Sequence, residues 1–246
     1  MPPTSRPVDY ADDGTRLTGV LYTDDAQRSR TPGILLVHGG AGLDAHAREQ
    51  AERWATLGYA VLACDMYGEG VAGDRDRVMA TVTALRDDPD LLVRRGQAGL
   101  ARLRPESDGR LAAVGYCFGG MAALTLARSG LDLAAAVSIH GSLTTPRPAR
   151  PDSVRARLLV CHGASDPHVP MEHVVAFTRE MEDAGADWRL TIYGGAVHGF
   201  THRHAIPGVT PGVAYDERAD HASFADAGRF LAETFGDDRP AGGGGL

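Results

Sequence analysis

The chain has 246 residues, 43% of them hydrophobic, and carries a formal net charge of −7 with no lysine at all, so every fixed positive charge is arginine. The missing lysine excludes Schiff-base and pyridoxal-phosphate chemistry and a Walker A phosphate loop, all of which need a lysine amine. An acidic balance without an arginine-rich stripe argues against nucleic acid, and no apolar run approaches the roughly 20 residues that span a bilayer, so no membrane partner is expected.

The first stretch, "MPPTSRPVDY", lacks the apolar core of an export signal, and a cytoplasmic location is expected. "PVDYADDG" and "RLTGVLYTDD" read as an antiparallel hairpin turning at Gly14. "ILLVH" follows as an unbroken apolar run, the pattern of a parallel strand covered on both faces. A helix is predicted over 44–57, with Asp44 as N-cap and Gly58 just past its end. Next come a strand at 59–64, a glycine-rich loop "DMYGEGVAGD", helical segments over about 74–104 and a strand at 110–116 that runs into Cys117 and a further helix. A strand at 133–140, the proline-rich link "TTPRPARP", a strand at 157–162, a helix at 170–184, a strand at 188–193 and a helix near 218–235 complete the pattern. This alternation predicts an α/β fold: a mostly parallel, doubly wound sheet with an N-terminal antiparallel hairpin. The length suits one domain over 1–236, with residues 237–246, "DDRPAGGGGL", expected as a disordered tail.

Three cysteines without Cys-x-x-Cys spacing suggest neither a disulfide framework nor a cysteine-rich metal site. Cys64 and Cys161 end apolar runs and are expected as buried structural thiols. Cys117 differs. It sits in "GYCFGG", where Gly-x-Cys-x-Gly matches the strand–turn–helix that presents a hydrolase nucleophile. Asp166, in "CHGASDPHVP", and His198, in "YGGAVHGF", each follow their own strand, and nucleophile–acid–histidine is the chain order of the α/β-hydrolase triad. The three strand ends share one rim of such a sheet, where ligands bind. Glycines at 115, 119 and 120 relieve crowding at the turn, and the helix N-terminus after Cys117 favours a thiolate. His198 is expected as general base, Asp166 as its orienting carboxylate, and the amides of Phe118 and Gly40 as the oxyanion hole. His38 is expected to anchor the oxyanion loop, and His140 to line the pocket. His198, His202 and His204 lie in a loop-like stretch rather than on a helix, so no metal site is expected.

Together, "GYCFGG", "HGASDPHVP" and "YGGAVHGF", supported by "GYAVLACDMYGEG" and "GVAYDERAD", resemble the dienelactone hydrolases, a cysteine-nucleophile branch of the α/β-hydrolases, over about Thr31 to Phe235. The resemblance implies a cofactor-free enzyme, a monomer or small homo-oligomer, that opens a small lactone or activated ester through a thioester acyl-enzyme. It implies Cys117, Asp166 and His198 as triad, with Phe118 and Gly40 at the oxyanion hole; Arg75 and Arg77 lie in the region where the family clamps a substrate carboxylate, and Gly39, His140, Tyr67 and Arg203 are taken as substrate-binding candidates. The 49 residues from Cys117 to Asp166 and the 32 from there to His198 leave no room for a large cap domain. One position departs from the family pattern: the glutamate that follows the residue matching His38 is here Gly39, and "HGGAG" looks like the oxyanion loop of ordinary esterases. Two other readings stay open, a non-hydrolytic isomerisation, cyclisation or acyl transfer at the same site, and a binding module that keeps only the fold.

Overall fold

A computed structural model describes residues 3–23, 30–205 and 208–236; the tail expected over 237–246 lies outside the described residues. The hairpin forms as β1 (Thr4–Asp12) and β2 (Thr15–Thr23), in register from Thr4 opposite Thr23 to Asp12 opposite Thr15. Its two turn residues, Asp13 and Gly14, both take positive φ. Strands β3 (Gly33–Val37), β4 (Ala60–Cys64), β5 (Leu111–Tyr116), β6 (Ala135–Ile139), β7 (Arg157–Gly163) and β8 (Trp188–Tyr193) are mutually parallel, and β2 joins them antiparallel along β4. The spatial order is β1-β2-β4-β3-β5-β6-β7-β8. This is the α/β-hydrolase arrangement, a mostly parallel sheet with an N-terminal antiparallel hairpin and, among the described residues, no large cap domain.

The apolar runs explain the layering. Every residue of β3 to β6 is buried, and the two-residue side-chain period sends alternate residues to opposite faces. Leu35 and Val37 face a layer built from α2 (Arg75–Asp87), α3 (Pro89–Leu103), α4 (Phe118–Arg128) and α5 (Met171–Asp183). Ile34 and Leu36 face α1 (Ala45–Thr56) and α6 (Glu217–Phe235), where Trp54 is fully buried.

Aspartates set most helix starts. Asp44 accepts the Ala47 amide at 2.9 Å at the head of α1, and Asp216 accepts the Ala219 amide at 3.0 Å at the head of α6. The helical stretch expected over 74–104 divides at Asp88, which ends α2 and caps α3 by accepting the amides of Asp90 and Leu91. Pro89, which has no amide proton to give, stands at the first position of α3. Among the described residues no helix is long and apolar enough to cross a membrane.

Candidate active site

The turn between β5 and α4 is enforced by what lies around it. Cys117 sits at φ 55°, ψ −116°, a left-handed conformation that costs an L-residue free energy. The strand and helix it joins are too close for side chains. A Cβ on Gly115 would fall 1.8 Å from the Gly119 carbonyl oxygen, and one on Gly119 would fall 2.0 Å from that of Val37. The glycines of "GYCFGG" are therefore required by backbone-to-backbone contact, and the strained residue between them points its sulfur over the strand ends.

Asp166 and His198 reach that sulfur from neighbouring loops. The loops after β7 and β8 are bonded to each other: Ala164 N–H donates to Tyr193 O at 2.9 Å and Ser165 N–H to Ala196 O at 2.9 Å. Asp166 is buried. Its Oδ1 accepts the amides of His168 and Val169 at 2.8 and 3.1 Å, leaving Oδ2 to face His198 Nδ1 at 2.8 Å. On the far side of the ring, His198 Nε2 lies 3.1 Å from Cys117 Sγ. The His198 backbone is held by the Gly212 carbonyl and by an isolated bridge to Val213, and the His168 ring stands edge-on to it at 5.2 Å. Three residues separated by 81 positions of chain thus form one hydrogen-bonded line.

The electrostatics follow from that line. Burial raises the Cys117 thiol, but the His198 ring and the amides of Phe118 and Gly40 outweigh it and bring the thiol below its ordinary value. Burial likewise disfavours a charged His198, yet Asp166 and Cys117 on its two nitrogens push the imidazole up. Asp166 is held below the usual carboxylate range because the His198 ring and two backbone amides overcome its burial. The shifts of Cys117 and His198 act in one sense, towards negative charge on the sulfur and positive charge on the ring. Cys64 and Cys161 show the contrast: both are fully buried, and burial pushes Cys161 up to about 12 and Cys64 higher still.

The loop after β3 is clamped from the loop after β4. His38 Nε2 accepts the Met66 amide at 3.2 Å while its Nδ1 donates to the Gly39 carbonyl at 2.7 Å. Tyr67 donates its hydroxyl to Gly40 O at 2.9 Å, with Gly39 O at 3.4 Å. Tyr67 is buried and so acts on the loop rather than presenting a free hydroxyl to a ligand. The buried Arg95 of α3 fixes that second loop by donating to Met66 O at 2.6 Å and Tyr67 O at 3.1 Å. The Gly40 amide is one of the two that face the sulfur.

Not every expected neighbour lines the site. His140 is only 2% exposed and both its ring nitrogens are engaged, Nδ1 by the Cys117 amide and Nε2 by Thr201, so it stands behind Cys117 rather than in a pocket. Arg203 turns to α6 instead, 3.8 Å from the buried Asp220 carboxylate, at a cleft it shares with Glu49, Gln50, Glu52, Arg53 and Thr56. Arg75 is exposed on α2, and Arg77 pairs with Asp74 and donates to Gly70 O. His202 stacks on His46 at 4.7 Å and faces Asp44, while His204 faces Glu49. Thr201 and His46 carried no signal in the sequence. Their importance rests on contacts 61 and 155 positions apart.

Comparison with known proteins gives the family. The dienelactone hydrolase family model matches residues 17–235. The solved structure of a dienelactone hydrolase-like promiscuous phosphotriesterase from metagenomic libraries is 37% identical, covering 96% of this chain and 100% of that one, with a TM-score of 0.91. A putative carboxymethylenebutenolidase of Yersinia pestis is 27% identical over 200 residues, 76% of this chain and 75% of that protein. An uncharacterized protein of Caenorhabditis elegans is 36% identical over 132 residues, 51% of this chain and 81% of that protein. The match runs from within β2 to the last residue of α6, and the chain belongs to the dienelactone hydrolase family and is a hydrolase.

Proposed function

We propose that this hydrolase opens small lactones or activated esters through a thioester on Cys117. The observation that carries the reading is the line from Sγ through Nε2 and Nδ1 to Oδ2, with contacts of 3.1 and 2.8 Å, ending at a sulfur faced by two backbone amides. The Cys117 thiolate attacks the acyl carbon and forms a C–S bond while the carbonyl π electrons move to oxygen. That oxyanion is taken by the amides of Phe118 and Gly40. As the tetrahedral species collapses, the C–O bond to the alcohol breaks and the His198 imidazolium gives its Nε2 proton to the leaving oxygen. Water then attacks the thioester, its proton passing to the now neutral His198, and the C–S bond breaks to restore the thiolate and release the acid. Asp166 keeps the ring in the tautomer both steps need. Thiolate is a good leaving group as well as a good nucleophile, which suits lactones and activated esters better than amides.

Gly39 shapes what enters. A Cβ there would stand 3.8 Å from Cys117 Cβ and 3.7 Å from the Tyr116 carbonyl oxygen, so a side chain at this position would start beside Cys117. Glycine leaves that space to the substrate, and a phosphotriester, the class named for the metagenomic relative, is the second probe to try. Cys117→Ala should abolish turnover of an enol-lactone and of an aryl acetate while melting at the wild-type temperature. Turnover within tenfold of wild type would overturn the reading. Solvent oxygen appearing in the acid product separates hydrolysis from isomerisation, cyclisation or acyl transfer.

A further inference from the structure

We propose that His140 is a positioning residue of the nucleophile turn, tied through Thr201 to His46 in a single buried hydrogen-bond chain that fixes the Cys117 backbone. His140 follows β6 at φ 42° and Cys117 follows β5 at φ 55°, so two residues in the left-handed region face each other across adjacent strand ends. The Cys117 amide is shared between the Ile139 carbonyl at 3.1 Å and His140 Nδ1 at 3.2 Å. An amide can only donate, so Nδ1 carries a lone pair and, in the neutral ring, Nε2 carries the proton. That Nε2–H donates to Thr201 Oγ1 at 2.9 Å. The Thr201 hydroxyl then has its own proton for His46 Nε2, also at 2.9 Å, which places the His46 proton on Nδ1.

Each proton in the chain has one place to be. His140, Thr201 and His46 are all at most 4% exposed, so no water competes for these bonds. Burial, with the His198 and His46 rings nearby, holds the His140 ring well below the ordinary histidine range. A protonated His140 would set one donor against another at the strained turn. The chain also joins the two halves of the reacting pair, since Thr201 lies three residues after His198, and the His140 ring stands 5.5 Å from the His198 ring, near edge-on. The nucleophile's amide, the base's loop and the N-terminal turn of α1 are thereby held in one register.

This inference rests on Cys117 as nucleophile, and the two fail separately. An activated ester that turns over without acylating wild-type Cys117 sinks the nucleophile. The positioning role is tested by single-turnover acylation of His140→Leu, His140→Asn and Thr201→Val, each checked by melting. Asn keeps an acceptor where Nδ1 stands and tolerates positive φ; Leu has a similar shape and no acceptor. H140L is expected to acylate about 100-fold more slowly with substrate affinity nearly unchanged, H140N to recover most of that rate, and T201V to lose about tenfold. Wild-type rates in H140L or T201V, or a folded H140N as slow as H140L, overturn the proposal. Should H140L fail to fold, T201V and the histidine-detected nitrogen NMR spectrum of the wild-type enzyme decide it. His140 is expected as the neutral Nε2–H tautomer, and an Nδ1–H tautomer or an imidazolium at neutral pH overturns the chain.

Discussion

Acid should destabilise this protein through its buried histidines, and His46 allows the size to be worked out. Burial, with the stacked His202 ring, pushes the His46 imidazole down from 6.5 to about 4 against the pull of Asp44, Asp220 and Glu49. In the unfolded chain the ring takes up a proton near 6.5, whereas in the fold it resists until about 4. The stability this provides is therefore complete above 6.5 and is lost as pH falls towards 4. At about 1.4 kcal/mol per pKa unit the whole effect is about 3 kcal/mol, of which about 2 kcal/mol disappears between about pH 7 and about pH 5. Other titrating groups are common to wild type and His46→Gln and cancel in the comparison. The raised His198 contributes stability that is full below 6.5 and is lost as pH climbs from there through its folded value, and the lowered Asp44 and Asp166 act below 3.8. His38, His140 and His162 are lowered too and add losses of the same sign, so the His46 share is read by difference. His46→Gln keeps an acceptor for Thr201 and cannot take up the proton. Urea unfolding at the two pH values should cost wild type about 2 kcal/mol more than H46Q. Parallel pH curves for the two proteins, within about 0.5 kcal/mol, would refute the reasoning.

Asp166→Asn should lower kcat by about 1,000-fold or more with KM little changed. Its Oδ1 still accepts the His168 and Val169 amides, while its NH2 now faces His198 Nδ1 and reverses the tautomer; a loss under tenfold would contradict the assigned role. Iodoacetamide should alkylate Cys117 with a pH midpoint below the ordinary thiol value of 9.0, and His198→Asn should move that midpoint above it, because burial then acts unopposed by the ring; equal midpoints would remove the ion pair from the account. Gly119→Ala places a methyl 2.0 Å from a backbone oxygen of β3 that has nowhere to move, and about 3 kcal/mol of stability should be lost; an unchanged urea midpoint would show that the β5–α4 approach is looser than described.

The fold was legible because its signals are local. Five-residue apolar runs with no polar face read as central strands, and Asp44 marks a helix start. The convergence of Cys117, Asp166 and His198 was legible for a related reason: strand ends in a parallel sheet share one rim, so residues placed after three strands meet wherever the chain wanders between them. Side-chain direction was not legible. His140 and His198 both follow strands, but φ 42° turns the first ring inward to the Cys117 amide. Arg203 stands close to His198 in sequence, yet the Asp220 carboxylate on α6 draws it to another cleft. Nothing near His46 announced that Thr201, 155 positions on, would share its proton.

The most direct test of the account is rapid acid quench of the enzyme during turnover of an aryl ester, followed by peptide mapping by mass spectrometry. The acyl mass should appear on the peptide carrying Cys117, be labile to thiols as a thioester is, and persist longer in His198→Asn than in wild type. Turnover accompanied by acylation of any other residue, or continuing undiminished with Cys117 alkylated, would contradict the reading of Cys117 as the nucleophile.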